Sequence, residues 1–386
     1  MLYAGFGLVA TSLAPLAVLI VTDLGISNAA MGSIMGAWQF VYIFSAVPCG
    51  MLLDRMGARY SLLLGGCLLA ASALARGFAT DYWQLLAAVM LFGLGGPIIS
   101  AGAPKVVTSC FTGQSRGLAM GIYMTGPAIG GIVSLTMTHA VLLPLLESWR
   151  SVMLLWAGVV FFAAALWFLI SSSAGARLLQ PQHQGPAVPQ TRMILDLVQQ
   201  PAVVIVLAMS VGVFMFNHGL NNWLPELLRT SGMTITEAGY WAALPTAVGL
   251  AGSLLIPRLA TPERRFHILV ALCISATLAS GLLHYTHHEL ALFPGLFLQG
   301  LVRASLMTVL ILTLVELPGI GERYAGVASG LFFSTAEVGG VLGPLTLGLL
   351  YDMTGGFSAG LHLLSSVAVL MVLGSLYLGR IARRDA

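Results

Sequence analysis

The chain alternates long apolar runs with short polar steps. Apolar stretches recur at Leu2 to Val21, Met31 to Met51, Tyr60 to Ala75, Tyr82 to Val107, Leu118 to Leu143 and Ser151 to Ile170. A polar interval follows, and then six more: Val203 to Leu224, Ala238 to Ile256, Phe266 to Leu283, Leu290 to Leu314, Ala325 to Tyr351 and Gly360 to Leu378. Most approach the roughly 20 residues that carry a helix across a bilayer, so the pattern predicts twelve membrane-spanning helices. The interval Ser171 to Val198 is dominated by Ser, Gly, Gln, Pro and His, with Arg177 and Arg192 its only basic residues, and reads as a solvated linker. The expected division is a six-helix bundle over 1–173, a cytoplasmic linker over 174–198 and a second six-helix bundle over 199–386.

Composition excludes a soluble domain. The 386 residues are 58% hydrophobic and 8% charged, against about 25% charged in soluble chains, and the mean hydropathy is +0.93. A net charge of +3 is too small to argue for nucleic-acid binding, and it resides mostly in loops. If both termini are cytoplasmic, thirteen of the seventeen Lys and Arg residues fall on the cytoplasmic side. Arg76, Arg150 and Arg229 go outside, and Arg303 is left within a span as the only fixed positive charge there. That bias fits the positive-inside rule, and predicts a multi-pass protein of the plasma or inner membrane. Leu2 to Val21 is too long for a cleavable signal and lacks its basic leading region, so it reads as the first span. Met1 leaves almost no tail ahead of it, as a shortened N-terminus would. Cys49, Cys67, Cys110 and Cys273 lie in or at the ends of apolar runs without paired spacing, and are expected as free thiols packed like small hydrophobes.

Between the second and third runs lies the charged step Gly50 Met51 Leu52 Leu53 Asp54 Arg55 Met56 Gly57 Ala58 Arg59. Gly50 and Gly57 would let two helix ends approach and turn, while Asp54 could cap a neighbouring helix or pair with Arg55 and Arg59. A Gly, Asp-Arg four and five residues on, then Gly, then Arg resembles the loop-2/3 signature of the major facilitator superfamily. The halves also echo each other. Leu91 Phe92 Gly93 Leu94 parallels Leu298 Gln299 Gly300 Leu301, and Ile129 Gly130 Gly131 Ile132 parallels Val338 Gly339 Gly340 Val341, six spans apart. Ala103 Pro104 Lys105 with Ser115 Arg116 Gly117 and Met120 Gly121, and Gly348 to Asp352 with Thr354 Gly355, resemble further stretches of that family. The second copy of the loop signature, from Ile256 to Arg265, keeps only its basic character. An Arg that many members carry before the fourth-helix glycines is replaced here by Ala88 Val89 Met90, so no coupling role for that Arg carries over. The resemblance implies an all-α polytopic membrane protein of the facilitator fold, with two six-helix pseudo-repeats around a central cavity.

Ionisable side chains at bilayer depth cost roughly 2.5 to 3.5 kcal/mol on insertion scales, which makes them functional candidates. Arg303 sits near the centre of the tenth run and Glu337 near the centre of the eleventh; their counterparts in the first half are Gly96 and Ala128. Arg303 offers a fixed fork for a carboxylate or another oxyanion, and a Glu in a low-dielectric cavity can bind and release a proton. The plainer reading is a structural Arg303–Glu337 pair that locks two helices. Asn217, His218, Asn221 and Asn222 occupy adjoining stripes of the seventh run as candidate substrate ligands, with Gln39 a weaker one; interhelical hydrogen bonding is the alternative. Gly50, Asp54, Arg55, Gly57 and Arg59 are candidates for a gating loop. Gly126 Pro127 Ala128 Ile129 Gly130 Gly131 resembles part of the antiporter signature of drug exporters, but close helix packing explains such small residues more simply. His284, His287 and His288 lack companions at ligand spacing, so no metal is expected. No phosphate-cradling loop ending in Lys-Ser or Lys-Thr and no nucleophile–base pairing is visible, which argues against ATP drive, cofactors and enzymatic activity.

The sequence therefore predicts a secondary active transporter, monomeric in the lipid bilayer, that moves a small solute by alternating access. The solute is expected to be an organic or inorganic anion, moved by symport or antiport with protons or a counter-substrate. A proton-driven exporter of lipophilic compounds is the alternative within the fold. A non-transporting membrane receptor or sensor is the alternative of another class.

Overall fold

Regular structure in the computed structural model is entirely helical among the residues it describes: 1–111, 115, 119, 122–172, 190–261, 263–317 and 321–384. Eleven helices among these are long and apolar enough to cross a membrane: α1 (Leu2–Leu24), α2 (Asn28–Leu53), α3 (Arg55–Phe78), α4 (Tyr82–Val107), α5 (Ile122–Leu146), α6 (Trp149–Ile170), α7 (Pro201–Thr230), α9 (Arg265–Tyr285), α10 (Leu290–Val315), α11 (Val327–Thr354) and α12 (Ser358–Ile381). Ile235–Leu259, α8, fills the place of the eighth predicted span, and its 25 residues reach about 37 Å at 1.5 Å per residue. The twelve-span expectation is met, with ends that differ by a few residues. The last part of the supposed linker, Gln190–Val198, is a helix whose Leu197 is fully buried and which packs on α7 and α11; residues 173–189 lie outside those described.

Glycine placement explains why the two halves echo each other in sequence. A Cβ on Gly130 of α5 would lie 2.0 Å from the Ala4 carbonyl oxygen of α1, and one on Gly339 of α11 would lie 1.9 Å from the Val211 oxygen of α7. Gly93 of α4 meets the Trp38 oxygen of α2 in the same way, at 2.4 Å, and Gly300 of α10 meets the Pro245 oxygen of α8 at 2.7 Å. Without a side chain, each pair of backbones can pack at a distance that any other residue would prevent. The repeated glycines therefore mark equivalent crossings in the two bundles, and packing is what the Gly126-to-Gly131 stretch does here.

Helix α1 is broken. An α-helix over Leu2–Thr11 gives way to a 3₁₀ turn at Ala14–Leu16, with Pro15 supplying no N–H, before the chain resumes helix at Ala17–Leu24. The Val9 carbonyl at the break accepts from Ser12 Oγ at 2.9 Å and from Arg76 Nη1 at 2.9 Å. Arg76, assigned above to an outer loop, is 1% exposed inside the first bundle, because α3 runs on to Phe78. Arg303 is thus not the only cation within the spans. The four cysteines are free thiols as expected, with Cys49 and Cys273 buried and Cys67 half-buried; Cys110 departs from the packed placement and is exposed.

The bundles meet most closely on the face away from the α2–α3 turn. There α2 and α11 cross with Gly32 against the Pro344 oxygen (2.3 Å from an added Cβ), Gly36 against the Val341 oxygen (2.9 Å) and Gly348 against the Asn28 oxygen (2.2 Å). Asp352, at the end of α11, caps α2 from the other bundle. Its Oδ1 accepts from Asn28 N at 3.1 Å and Asn28 Nδ2 at 2.8 Å, and its Oδ2 from Ala29 N at 2.7 Å, while Ser27 Oγ takes the Ala30 N–H at 3.1 Å. Gly239 of α8 rests on the Leu135 oxygen of α5, a second close approach between the bundles.

Two outcomes follow from this packing. Gly339→Ala forces α7 and α11 apart and lowers stability by about 1–3 kcal/mol, read as a fall in Tm of purified protein. Gly158→Ala, with nothing within 4 Å of the added methyl, serves as the neutral control; equal Tm values for the two variants would refute the crossing as described. Asp352→Ala removes two amide acceptors, and hydrogen exchange at Asn28 and Ala29 accelerates about tenfold for a loss of about 1.4 kcal/mol. Unchanged exchange there would mean the cap does not hold the face shut.

Candidate functional site

A cavity of about 320 Å³ lies between the bundles, and its lining runs from mid-membrane toward the face that carries the α2–α3 turn. The first bundle contributes a largely apolar wall: Tyr3, Phe6, Gly7 and Ala10 of α1, Trp38 of α2, and Met124, Pro127 and Ala128 of α5. Behind it Trp38 packs edge-on to Phe6 and Phe92 with ring centroids 6.0 and 5.3 Å away, which makes that wall rigid. The polar wall comes from the second bundle: His218, Asn221 and Asn222 of α7, Thr246 and Ser253 of α8, and Arg303 and Thr308 of α10.

Arg303 is half-buried, and its Nη1 donates to Thr246 Oγ1. Asn217, expected to line the cavity, instead turns toward α10 and donates from Nδ2 to the Arg303 carbonyl at 2.8 Å, so it braces the helix that bears the cation. Among the described residues no carboxylate forms an ion pair with Arg303; the pairs present are Arg150–Asp23, Arg229–Glu226 and Arg265–Glu316. The structural Arg303–Glu337 lock weighed from the sequence is therefore absent from this conformation. The planar fork keeps unused N–H donors that line the cavity, a geometry matched to carboxylate or another oxyanion.

Glu337 does not line the cavity. It is 5% exposed at the α2–α11 crossing, and its Oε2 has no hydrogen-bond partner. Gln39, also proposed as a ligand, is fully buried there, 3.1 Å from His218 Nδ1 through its Nε2, and its Oε1 is likewise unpartnered. His218 joins both environments: its ring packs edge-on to Trp38 with centroids 5.8 Å apart, and it forms part of the cavity lining. Asn221 and Asn222 stay as cavity residues, with Asn222 Nδ2 donating to the His218 carbonyl at 2.8 Å.

The charged step turns at one glycine only. Gly57 has φ 75° and ψ 164°, a conformation that favours glycine, whereas Gly50 stays helical with open space around it. Arg59 is tied to the end of α6: its Nη2 donates to Ser172 Oγ at 2.6 Å, its carbonyl accepts from Trp167 Nε1 at 3.1 Å, and the guanidinium stacks on Phe168 at 4.8 Å. Arg55 is exposed, and the side chain of Asp54 lies outside those described, as do residues 116–118, 120 and 121 of the α4–α5 junction. On the opposite face His284 stacks on His362 with centroids 4.3 Å apart. The two residues that sequence reasoning missed are Arg76 and Asp352. A signal existed for the first in the apolar residues that flank it; nothing in the sequence pointed to the capping role of the second.

The Major Facilitator Superfamily model matches residues 1–344. An uncharacterised transporter of Bacillus subtilis, YycB, is 25% identical over 97% of this chain and 90% of its own length. The D-galactonate transporter of Escherichia coli O6:H1 is 24% identical over 92% of this chain and 88% of its own. A quinolone resistance transporter of Acinetobacter baumannii is 27% identical over 89% and 84%. Among solved structures, the nucleoside transporter NupG superposes with a TM-score of 0.81 at 12% identity, covering 98% of this chain and 97% of its own. A bacterial homologue of the human lysosomal transporter Spinster reaches 0.75 at 16% identity, with 99% and 95% covered. These last two speak for the fold alone. A multi-pass membrane transporter and not an enzyme, the chain belongs to the Major Facilitator Superfamily.

Proposed function

We propose that the protein moves a small organic or inorganic anion by alternating access between bundles 1–173 and 199–386, with a coupled proton carried by Glu337. The observation that carries this reading is Arg303, a cation in the cavity whose side chain bonds Thr246 and no carboxylate. Even a half-buried positive charge at this depth is costly without a counter-charge, so a ligand that supplies one gains affinity by doing so. The volume, about 320 Å³, sits at the small end of ligand sites, which run about 300–1,000 Å³. A relative named for D-galactonate, a carboxylate, supports the same class. His218, Asn221 and Asn222 supply neutral donors and acceptors for the rest of the solute. The charge distribution supports a plasma or inner-membrane protein with the α2–α3 turn and both termini in the cytoplasm, an orientation in which this conformation faces inward.

A second reading, a proton-driven exporter of lipophilic compounds, is favoured by the aromatic wall of Tyr3, Phe6 and Trp38 and by the likeness to a quinolone resistance transporter. Uptake into proteoliposomes under an imposed pH gradient separates the two, with organic acids, inorganic anions and cationic dyes as the panel.

For an anion, Arg303→Lys keeps the charge but loses the fork and weakens binding about tenfold, while Arg303→Ala weakens it about a hundredfold or more. The measurement is ligand-induced thermal stabilisation of the purified wild type and both variants. A tight uncharged or cationic ligand that binds all three equally would sink the anion reading and promote the exporter. For the proton, Glu337→Gln abolishes pH-driven accumulation and spares exchange of internal for external substrate. Full gradient-driven accumulation by that variant would return Glu337 to a structural role.

A further inference from the structure

Two buried side chains, each with an unpartnered oxygen, meet at one glycine. Glu337 Oε2 lies 2.7 Å from the point where a Cβ on Gly340 would be, and the Gln39 Cγ lies 3.0 Å from that point. Both side chains thus converge on Gly340, from opposite bundles, and both Glu337 Oε2 and Gln39 Oε1 lack a hydrogen-bond partner. The other end of the Gln39 amide is committed. With the amide in this orientation its Nε2 donates to His218 Nδ1, 3.1 Å away, which assigns the imidazole proton to Nε2.

From this arrangement we propose that Gln39 is the positioning residue through which protonation of Glu337 holds the α2–α11 face closed. An ionised carboxylate and an amide oxygen can only accept and leave each other unsatisfied, but a protonated carboxyl donates and the amide oxygen accepts, and both are satisfied at once. The proton comes from water and returns to it; no bond to carbon or nitrogen changes. When Glu337 ionises, the crossing confines an unpaired charge against an acceptor, and separation of α2 from α11 relieves it. Closure is thus favoured as pH falls through the titration of Glu337 and lost as pH rises. The other titratable groups near it are Tyr42 of α2, whose hydroxyl bonds Ser100 Oγ at 3.0 Å, and His218 of α7, with Arg303 of α10 within electrostatic range of the latter. Residues 363–376 of α12 contain no titratable side chain. Gln39 thereby moves from the list of substrate ligands to the coupling apparatus, an inference that rests on the proton-coupling reading of Glu337.

The test uses full-length protein with its four cysteines replaced by alanine and spin labels at Thr80 and Met353, one exposed site per bundle on the closed face. Pulsed electron–electron distance measurement at pH 5.5 and 8 reads the closed fraction. In the otherwise unsubstituted labelled protein the ratio of closed to open rises at least fivefold at the lower pH. Glu337→Gln shows no pH response. Gln39→Met, equal in length but without the acceptor, loses at least two-thirds of the response. As a second measurement independent of the conformational equilibrium, infrared difference spectra locate the carboxyl C=O stretch that Glu337→Gln removes, and Gln39→Met shifts that band to higher frequency. A full pH response in Gln39→Met, or an unmoved carboxyl band, overturns the role of Gln39 while the coupling reading stands. A full response and full gradient-driven accumulation in Glu337→Gln overturn both.

Discussion

The crossing of α2 over α11 is the constraint on which the rest of the structure depends. Gly32, Gly36 and Gly348 bring the backbones of the two bundles together there, and Asp352 extends the contact by satisfying the first two amides of α2. With the bundles clamped on that face, they diverge toward the other, and the divergence is the cavity. The alternating access proposed above requires the same contact to be reversible. Its components suit that: backbone contacts at small residues release without leaving large apolar surface unburied, and an exposed Asp352 cap exchanges for water at a cost of about 1 kcal/mol.

The two bundles have diverged in chemistry while keeping one packing scheme. Gly130 with Ala4 and Gly339 with Val211 are the same crossing made twice, yet Ala128 lines the cavity where its counterpart Glu337 is withdrawn into the crossing, and Gly96 stands where its counterpart Arg303 projects. A rigid aromatic wall on one side and a polar, cation-bearing wall on the other suit a small amphipathic solute with one charged end. Arg76 shows the contrast from the other direction. It is a buried cation in the first bundle, but its Nη1 is bonded to the Val9 carbonyl and Ser12 Oγ and its guanidinium lies over Phe92, so it holds the break in α1 rather than facing the cavity.

Much of this was legible in the residues. Run length and charge asymmetry determine span number and expected orientation because bilayer thickness and the absence of water leave few alternatives. The paired glycines were readable because close backbone approach tolerates no other residue. Side-chain direction was not. Asn217 and His218 are adjacent in sequence, and a rotation of about 100° between them sends one to brace Arg303 and the other into the cavity. Gln39 and Trp38 divide in the same way. Span ends were also poorly marked, and Arg76 was misplaced because an apolar run that pauses at an arginine reads as finished, whereas a local carbonyl acceptor let the helix continue. Asp352 could not be found at all from local pattern, since its partner is 324 residues away.

The proposed anion and proton sites do not share a residue, and that shapes how they can be coupled. Arg303 faces the cavity, Glu337 sits in the crossing, and between them stand His218 and Gln39, the first touching cavity and crossing alike. Direct competition of the two ligands for one side chain is therefore not available as a mechanism. What remains is linkage through the state of the crossing: each ligand shifts the balance between conformations only by as much as its affinity differs between them. Under the proposed scheme a proton on Glu337 would differ, since the closed crossing buries the carboxyl. An anion on Arg303 would differ through His218, which Gln39 contacts across the closed crossing. Coupling would then be strongest for solutes long enough to reach from the guanidinium to the imidazole, which makes solute length, as well as charge, a determinant of what this cavity can drive.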